Sequence, residues 1–450
     1  LSLPEGSVVL HIGPHKTGTT TLQGAVHVGR EALAAQGVLY AGQKAHSMTA
    51  AMVAATGKRL STQEAGAGAK EWSDIVEQVR ASDARHVLVS SEFFADASKA
   101  RISEIVDALG ADRTHVVVTL RPLVRIVASQ WQQYLQNRPA VHYDDKLEYA
   151  DWLREMLDRP KGRRITPTFW SRHDHAKLVE RWAEVVGHDR MTIVVVDDSD
   201  RESLLRSFEG LLGLADGTLA PREHGSNRSL SLPEISLLNA FNKRYVASDH
   251  SLADYTNLVR FGAVRFLQKR TPAPDEPRLL TPQWAVDRFS EVGAASADAI
   301  AATGIRVVGD LSLLGDPTVA SNVGESSPID EVPTELTARF LVGMVKAAVE
   351  AGAADARRKL GSEDGEEEVR RDKLLQHLIR RSDGDLDAAL ARVRQELGAA
   401  RSSAGRAEGG PSPDHRAVDD LTRGEALRML AHRAGRRLRL PGRRPPSGAQ

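Results

Sequence analysis

Short apolar runs alternate with amphipathic stretches over the first three hundred residues. Val8–Ile12, Val87–Ser90, His115–Leu120 and Thr192–Val196 are Val/Ile/Leu-rich runs of strand length. Their apolar character is nearly continuous, as in parallel strands covered on both faces. Glu71–Ser82, Arg101–Leu109, Lys177–Val186, Asp200–Leu212, Leu232–Tyr245 and Pro282–Ala302 carry apolar residues at helical spacing. A Pro-rich turn, Thr271–Pro277, separates two of them, and Trp182 is placed as a core residue. This alternation predicts an α/β fold, an open parallel sheet flanked by helices. Residues 1–316 are expected to form that domain, 317–335 a linker, 336–400 a helical extension and 401–450 a low-complexity, basic tail. Leu336, Phe340, Leu341, Met344, Val345 and Ala348 give the first helical stripe of the extension. Leu374–Ile379 and Leu386–Leu397 give two more.

Composition narrows the partners. The 450 residues hold 60 Lys+Arg against 60 Asp+Glu, so no net field points to nucleic acid. There is no cysteine, which excludes disulfides, thiolate metal sites and a Cys nucleophile. No apolar run reaches the ~20 residues that span a bilayer, and no signal-peptide pattern stands at the start. A cytoplasmic protein without a transmembrane segment is expected. The leucine-spaced arginines from Arg423 to Arg444 are a candidate contact for an anionic surface or a protein partner, or else a solvated tail.

The chemistry concentrates in two stretches. Val8–Ile12 runs into Gly13-Pro14-His15-Lys16-Thr17-Gly18-Thr19-Thr20. A strand, a glycine loop and a helix N-terminus together hold a phosphate-like anion through inward N–H groups and the helix dipole. Gly13 and Gly18 have Walker A spacing, and Thr20 stands where its Ser/Thr belongs. Thr19 occupies the lysine position, however, and the lysine has moved back to Lys16. In the second stretch, His115–Leu120 ends in Arg121-Pro122, and Ser129 follows eight residues after the arginine. Arg121 offers a bidentate fork for a phosphate; Arg125, one turn on, is expected to be solvated.

Lys16, Thr19 and Thr20 together with Arg121 and Ser129 resemble the PAPS-dependent sulfotransferase family, in its soluble bacterial type. PAPS is 3′-phosphoadenosine-5′-phosphosulfate. The motif cores lie within residues 8–131, with weaker similarity to about residue 316. The resemblance implies a P-loop-like sheet and PAPS as co-substrate. It implies that Lys16, Thr17, Gly18, Thr19 and Thr20 bind the 5′-phosphosulfate and that Arg121 and Ser129 bind the 3′-phosphate. Lys16 would also stabilise the transferring group. Ser90-Ser91-Glu92 resembles the branch that uses Glu as general base. Glu92 is therefore the catalytic candidate, with a capping carboxylate as the plainer reading and His15 and His46 as competitors. No metal is expected, because a sulfate monoester carries less charge than a phosphate monoester. His173-Asp174-His175 has no third ligand near it in sequence. Asn227-Arg228-Ser229 is a further candidate for nucleotide contact, against a plain helix start. The acceptor is expected to be a small molecule or glycan; Trp131, Tyr134, Tyr143, Phe169 and Trp170 either line its surface or pack. Two other functions stay open. A divergent P-loop kinase would need Asp197-Asp198 for Mg²⁺, and a non-catalytic module would bind PAP, the desulfated nucleotide, without transfer.

Overall fold

The computed structural model describes residues 2–58, 66–137, 148–160, 167–221, 228–246, 251–329 and 331–359, with side chains to 352. Asn227, Tyr143 and the helical stripes and basic tail expected beyond 359 lie outside the described residues.

Six parallel strands form one sheet in the order β2-β3-β1-β4-β5-β6. They are β1 Ser7–His11, β2 Val38–Tyr40, β3 His86–Ser90, β4 Thr114–Leu120, β5 Met191–Val195 and β6 Arg306–Val308. β1 lies between β3 and β4, paired Val9 to Leu88 on one side and Val9 to His115 on the other. The expected α/β open parallel sheet flanked by helices is therefore the fold. β2 and β6, which the apolar runs did not reveal, close the two edges.

Side-chain alternation divides the core into two layers. Val8, Leu10, Ile12, Val87, Val89, Val116, Val118 and Ile193 face one layer, where Trp182 is fully buried. Val9, Leu88, Val117 and Val194 face the other, against Leu22, Leu33 and Phe208. A period of two along strands buried on both faces produces this division. Each layer covers the sheet with helices: Lys99–Leu109 and His175–Val186 on the first, Thr19–Val28 and Ser203–Leu212 on the second.

A separate apolar cluster is built mainly from helices, with Leu230 and Leu279 added from the connecting segments. It joins Leu123–Gln136, Tyr149–Asp158, Leu232–Val246, the π-helix Tyr255–Val264 and part of Gln283–Ala301. Trp131 and Phe169 are buried in it, with Tyr134 and Trp170 packed against it. These four aromatic residues pack, and none of them lines the cleft described below. Residues after Pro317 are tied back to this body: Thr281 N–H donates to Asn322 O (2.8 Å) and Gly324 N–H to Thr281 O (2.9 Å). The compact unit runs Leu1–Met344 and includes the first turns of helix Thr334–Lys359; Val345–Gln450 is a second unit. Among the described residues no helix is long and apolar enough to cross a membrane.

Candidate active site

The loop after β1 is held from below by side chains rather than by its own glycines alone. His11, at the strand end, meets Ser90 Oγ through Nδ1 (2.8 Å) and Thr119 Oγ1 through Nε2 (3.1 Å). Thr119 Oγ1 in turn meets Thr17 Oγ1 (2.8 Å), and the Thr17 hydroxyl donates to Pro14 O (2.8 Å). Burial pulls the His11 pKa down to about 3, so this imidazole stays neutral and serves as a fixed joint between β1, β3 and β4. Gly13 is required here: a Cβ would stand 1.9 Å from Thr119 Oγ1.

Above the joint the backbone curls. Lys16 has φ 72° and Gly18 φ 88°, while Thr17 between them does not share the left-handed conformation. Alternating conformations of this kind turn successive N–H groups inward and make a nest for an anion. A lysine in the left-handed region is uncommon and marks a locally constrained site. The helix Thr19–Val28 begins directly after Gly18 with no side-chain cap. Its first N–H groups are thus left for a ligand.

An open cleft of about 460 Å³ lies over this loop at the carboxyl ends of the strands. Lys16, Gly18, Thr19, Thr20, Glu92, Arg121 and Ser129 all line it, although they come from three strand ends and two helices. Thr17 is placed differently from expectation. Its hydroxyl is buried in the joint and does not line the cleft.

Arg121 leaves the end of β4 and is clamped by Asp198, Nε to Oδ2 at 2.9 Å and Nη2 to Oδ1 at 2.7 Å. Its Nη1 donates to Lys16 O at 3.2 Å. The fork expected to meet a phosphate is therefore turned onto a carboxylate. Three of the five guanidinium N–H groups are used, which leaves two on the terminal nitrogens. Arg125, expected to be solvated, donates through Nε to Asp198 Oδ2 at 2.7 Å. Burial raises the Asp198 pKa, but the hydrogen bonds and charges of Arg121 and Arg125 outweigh it and hold the carboxyl below its ordinary value. Asp197 accepts from Ser199 N–H and Oγ–H. The acidic pair that a kinase would need is thus engaged within the protein. Ser129 lines the cleft but its hydroxyl is turned to Ile126 O (2.9 Å).

Glu92 opens the 3₁₀ turn Glu92–Asp96 two residues after β3. Burial raises its pKa, and the positive charges of Arg172 and Lys16 oppose the shift. Burial conversely lowers the Lys16 pKa, helped by Arg121 and Arg260 and countered by Glu92. His15 also lines the cleft. It packs edge-on to Phe93 and is neutral, held well below its ordinary pKa by burial and then by Arg172, His173 and Lys16. Its Nε2 is buried without a hydrogen-bond partner. His46 is absent from the cleft lining and pairs with Gln23.

Several lining residues had no motif to mark them. Gln132, Gln133 and Gln136 continue the face of Ser129 at spacings of three, four and seven, a polar stripe readable as a helix face. Arg228 and Ser229 reach the cleft, as the Asn227-Arg228-Ser229 candidate allowed. Arg228 is committed to the fully buried Glu234 (2.7 and 2.8 Å), which also accepts from Arg270 Nε (2.7 Å). Arg260, Phe261, Arg265 and Gln268 complete the wall.

A solved crystal structure of a sulfotransferase from Alicyclobacillus acidocaldarius is similar to this chain at 17% identity and a TM-score of 0.33. The match covers 55% of this chain and 94% of the other. No protein-family model and no curated protein matches the chain.

Proposed function

We propose that the protein is a sulfotransferase that moves a sulfuryl group from PAPS to a hydroxyl or amine of an acceptor. The observation that carries this reading is one cleft that joins an anion nest at Lys16–Gly18 to Arg121, Ser129 and a single half-buried carboxylate, Glu92.

The residues fit the donor in charge and in donor count. Lys16, the loop N–H groups and the hydroxyl of Thr20 face the phosphosulfate, and Thr19 joins them once its hydroxyl turns away from Gly13 O. They neutralise charge on the transferring group and on the departing phosphate oxygen, where it develops. The two unused N–H groups of Arg121 serve the 3′-phosphate. Ser129 joins them once its hydroxyl turns away from Ile126 O, because a phosphate dianion can only accept. Glu92 takes the proton of the acceptor as its oxygen or nitrogen attacks sulfur. The bond from sulfur to the nucleotide phosphate oxygen breaks in line and PAP leaves. A raised pKa makes Glu92 a better proton acceptor than an ordinary carboxylate. This assignment needs no metal, and the engagement of Asp197 and Asp198 favours it over a Mg²⁺-dependent kinase.

Calorimetric titration with PAP in the absence of metal, beside ATP with Mg²⁺, tests the reading. PAP is expected to bind without metal and at least about tenfold more tightly than ATP, a difference of about 1.4 kcal/mol. A preference for ATP with Mg²⁺ overturns the assignment. PAP binding with no transfer to any acceptor would place the protein among nucleotide-binding modules instead.

A further inference from the structure

The nest, Arg121 and Ser129 account for only part of the cleft wall. Another part comes from the π-helix Tyr255–Val264 and the helical turn Arg265–Gln268 that continues it. Residues five apart diverge by about 140° around an α-helix. The i→i+5 pattern of a π-helix brings them close to one line, and such segments are frequent at functional sites. Arg260 and Arg265 are five apart, and both line the cleft.

The two guanidiniums share one aromatic ring. Arg260 Cζ lies 5.0 Å and Arg265 Cζ 4.5 Å from the centroid of Phe261, itself 43% exposed. Among the described residues neither arginine is ion-paired with a carboxylate, whereas Arg121 and Arg228 both are. Burial lowers the Arg260 pKa and the like charge of Arg265 lowers it further, against a smaller opposing effect of Tyr255. The Arg260 charge also reaches Lys16, which puts this wall beside the loop rather than remote from it.

We infer that Arg260, Phe261 and Arg265 form the acceptor subsite and select a ring compound that carries an oxyanion. The word acceptor rests on the sulfotransferase reading; recognition of a ring and an anion rests on the cleft alone. Guanidinium edges suit carboxylate, sulfate or phosphate. Phe261 adds exposed apolar surface beside the two guanidiniums for a sugar or aryl ring. Glu92 repels an anion at its own end of the cleft. The oxyanion is therefore drawn to the arginines and the reacting hydroxyl is left toward Glu92.

The test uses full-length protein saturated with PAP, titrated with two matched pairs: D-glucuronate against D-glucuronamide, and 4-hydroxybenzoate against 4-hydroxybenzamide. The two pairs separate a sugar from an aryl acceptor. In at least one pair the acid is expected to bind about tenfold more tightly than the amide, the effect of a charge-assisted hydrogen bond. R260Q/R265Q is expected to erase that preference, R260K/R265K to keep part of it, and all three proteins to bind PAP alike. Equal binding of acid and amide, or no binding of either acid, overturns the inference. So does loss of PAP affinity in a folded R260Q/R265Q, which would assign the arginines to the nucleotide. Should the double variant fail to fold, R265Q at the exposed arginine carries the same comparison. If wild-type protein does not bind PAP, the sulfotransferase reading falls, and the same titrations without PAP decide the anion site by themselves.

Discussion

Glu92 shows how the burial of one side chain couples folding to pH. Burial raises its pKa in the folded protein above the value it has in the unfolded chain, where it is solvated. Its ionisation therefore opposes folding. The stability associated with its protonated form is fully present below the unfolded pKa and is lost as pH rises through the folded pKa. Glu92→Gln removes the ionisation and keeps the shape. The variant is expected to melt higher than wild type near neutral pH and to lose that advantage below the ordinary carboxylate range. Transfer should fall at least about a hundredfold, the usual contribution of a general base, while PAP affinity holds. Paired thermal melts across that pH range, with turnover measured on labelled PAPS, check both halves. A wild type more stable than the variant at neutral pH would mean that Lys16 and Arg172 hold Glu92 as a structural anion. Normal turnover in the variant would remove it from the reaction altogether.

At the scale of elements, the strand ends and the loop act as one piece because His11, Thr119 and Thr17 tie them together. Gly13 leaves the space that this tie occupies. Gly13→Ala would force a Cβ into Thr119 Oγ1, with His11 Nε2 at 2.8 Å and Thr17 Oγ1 at 2.9 Å as further obstacles. The expected cost is about 2–4 kcal/mol, overpacking plus broken buried hydrogen bonds, together with loss of PAP binding. Gly24→Ala is the control. Gly24 lies in the following helix, a Cβ there meets nothing within 4 Å, and alanine should stabilise by up to ~1 kcal/mol. Urea unfolding of the two variants beside wild type measures the difference, and a harmless Gly13→Ala would mean the joint gives way easily. The same elements explain what could be read from the chain. Strand β1, the glycine loop and Arg121 at the end of β4 follow from long apolar runs broken by unusual residues. Two of the strands do not: β2 and β6 have three residues each, too few to establish a period. The Asp198 clamp on Arg121 joins residues 77 apart, a distance at which local pattern carries no information. Arg260 and Arg265 escape notice for a different reason, since a spacing of five belongs to no α-helical face.

For the molecule as a whole, composition and packing give different end points to the α/β body. Composition changes after Pro317, where Ser, Gly, Glu and Pro crowd together, and this places a domain end at 316. Packing extends further. Leu336 and Phe340 are 4% and 2% exposed in the helical cluster, and the Phe340 ring meets Phe241 at 5.2 Å. Arg339 lies over Phe266, 4.7 Å from the ring centroid, directly after the cleft-lining Arg265. Gly343 allows the helix backbone to approach Ala263: a Cβ there would stand 2.7 Å from Ala263 Cα. The segment that carries Arg260 and Arg265 is thus backed by residues beyond the compositional boundary. A chain ending at residue 344 is expected to keep the melting temperature and PAP affinity of the full protein. A chain ending at 316 loses the burial of Leu336 and Phe340, about 3–6 kcal/mol at the usual value for large apolar side chains. It also exposes an apolar strip of Phe241 and its neighbours, so it should aggregate as well as melt early. Melting curves and light scattering on the two truncations separate the cases. Equal stability of both would put the end of the folding unit at 316 and make the helix from Thr334 an appendage; failure of both would extend the unit past Met344.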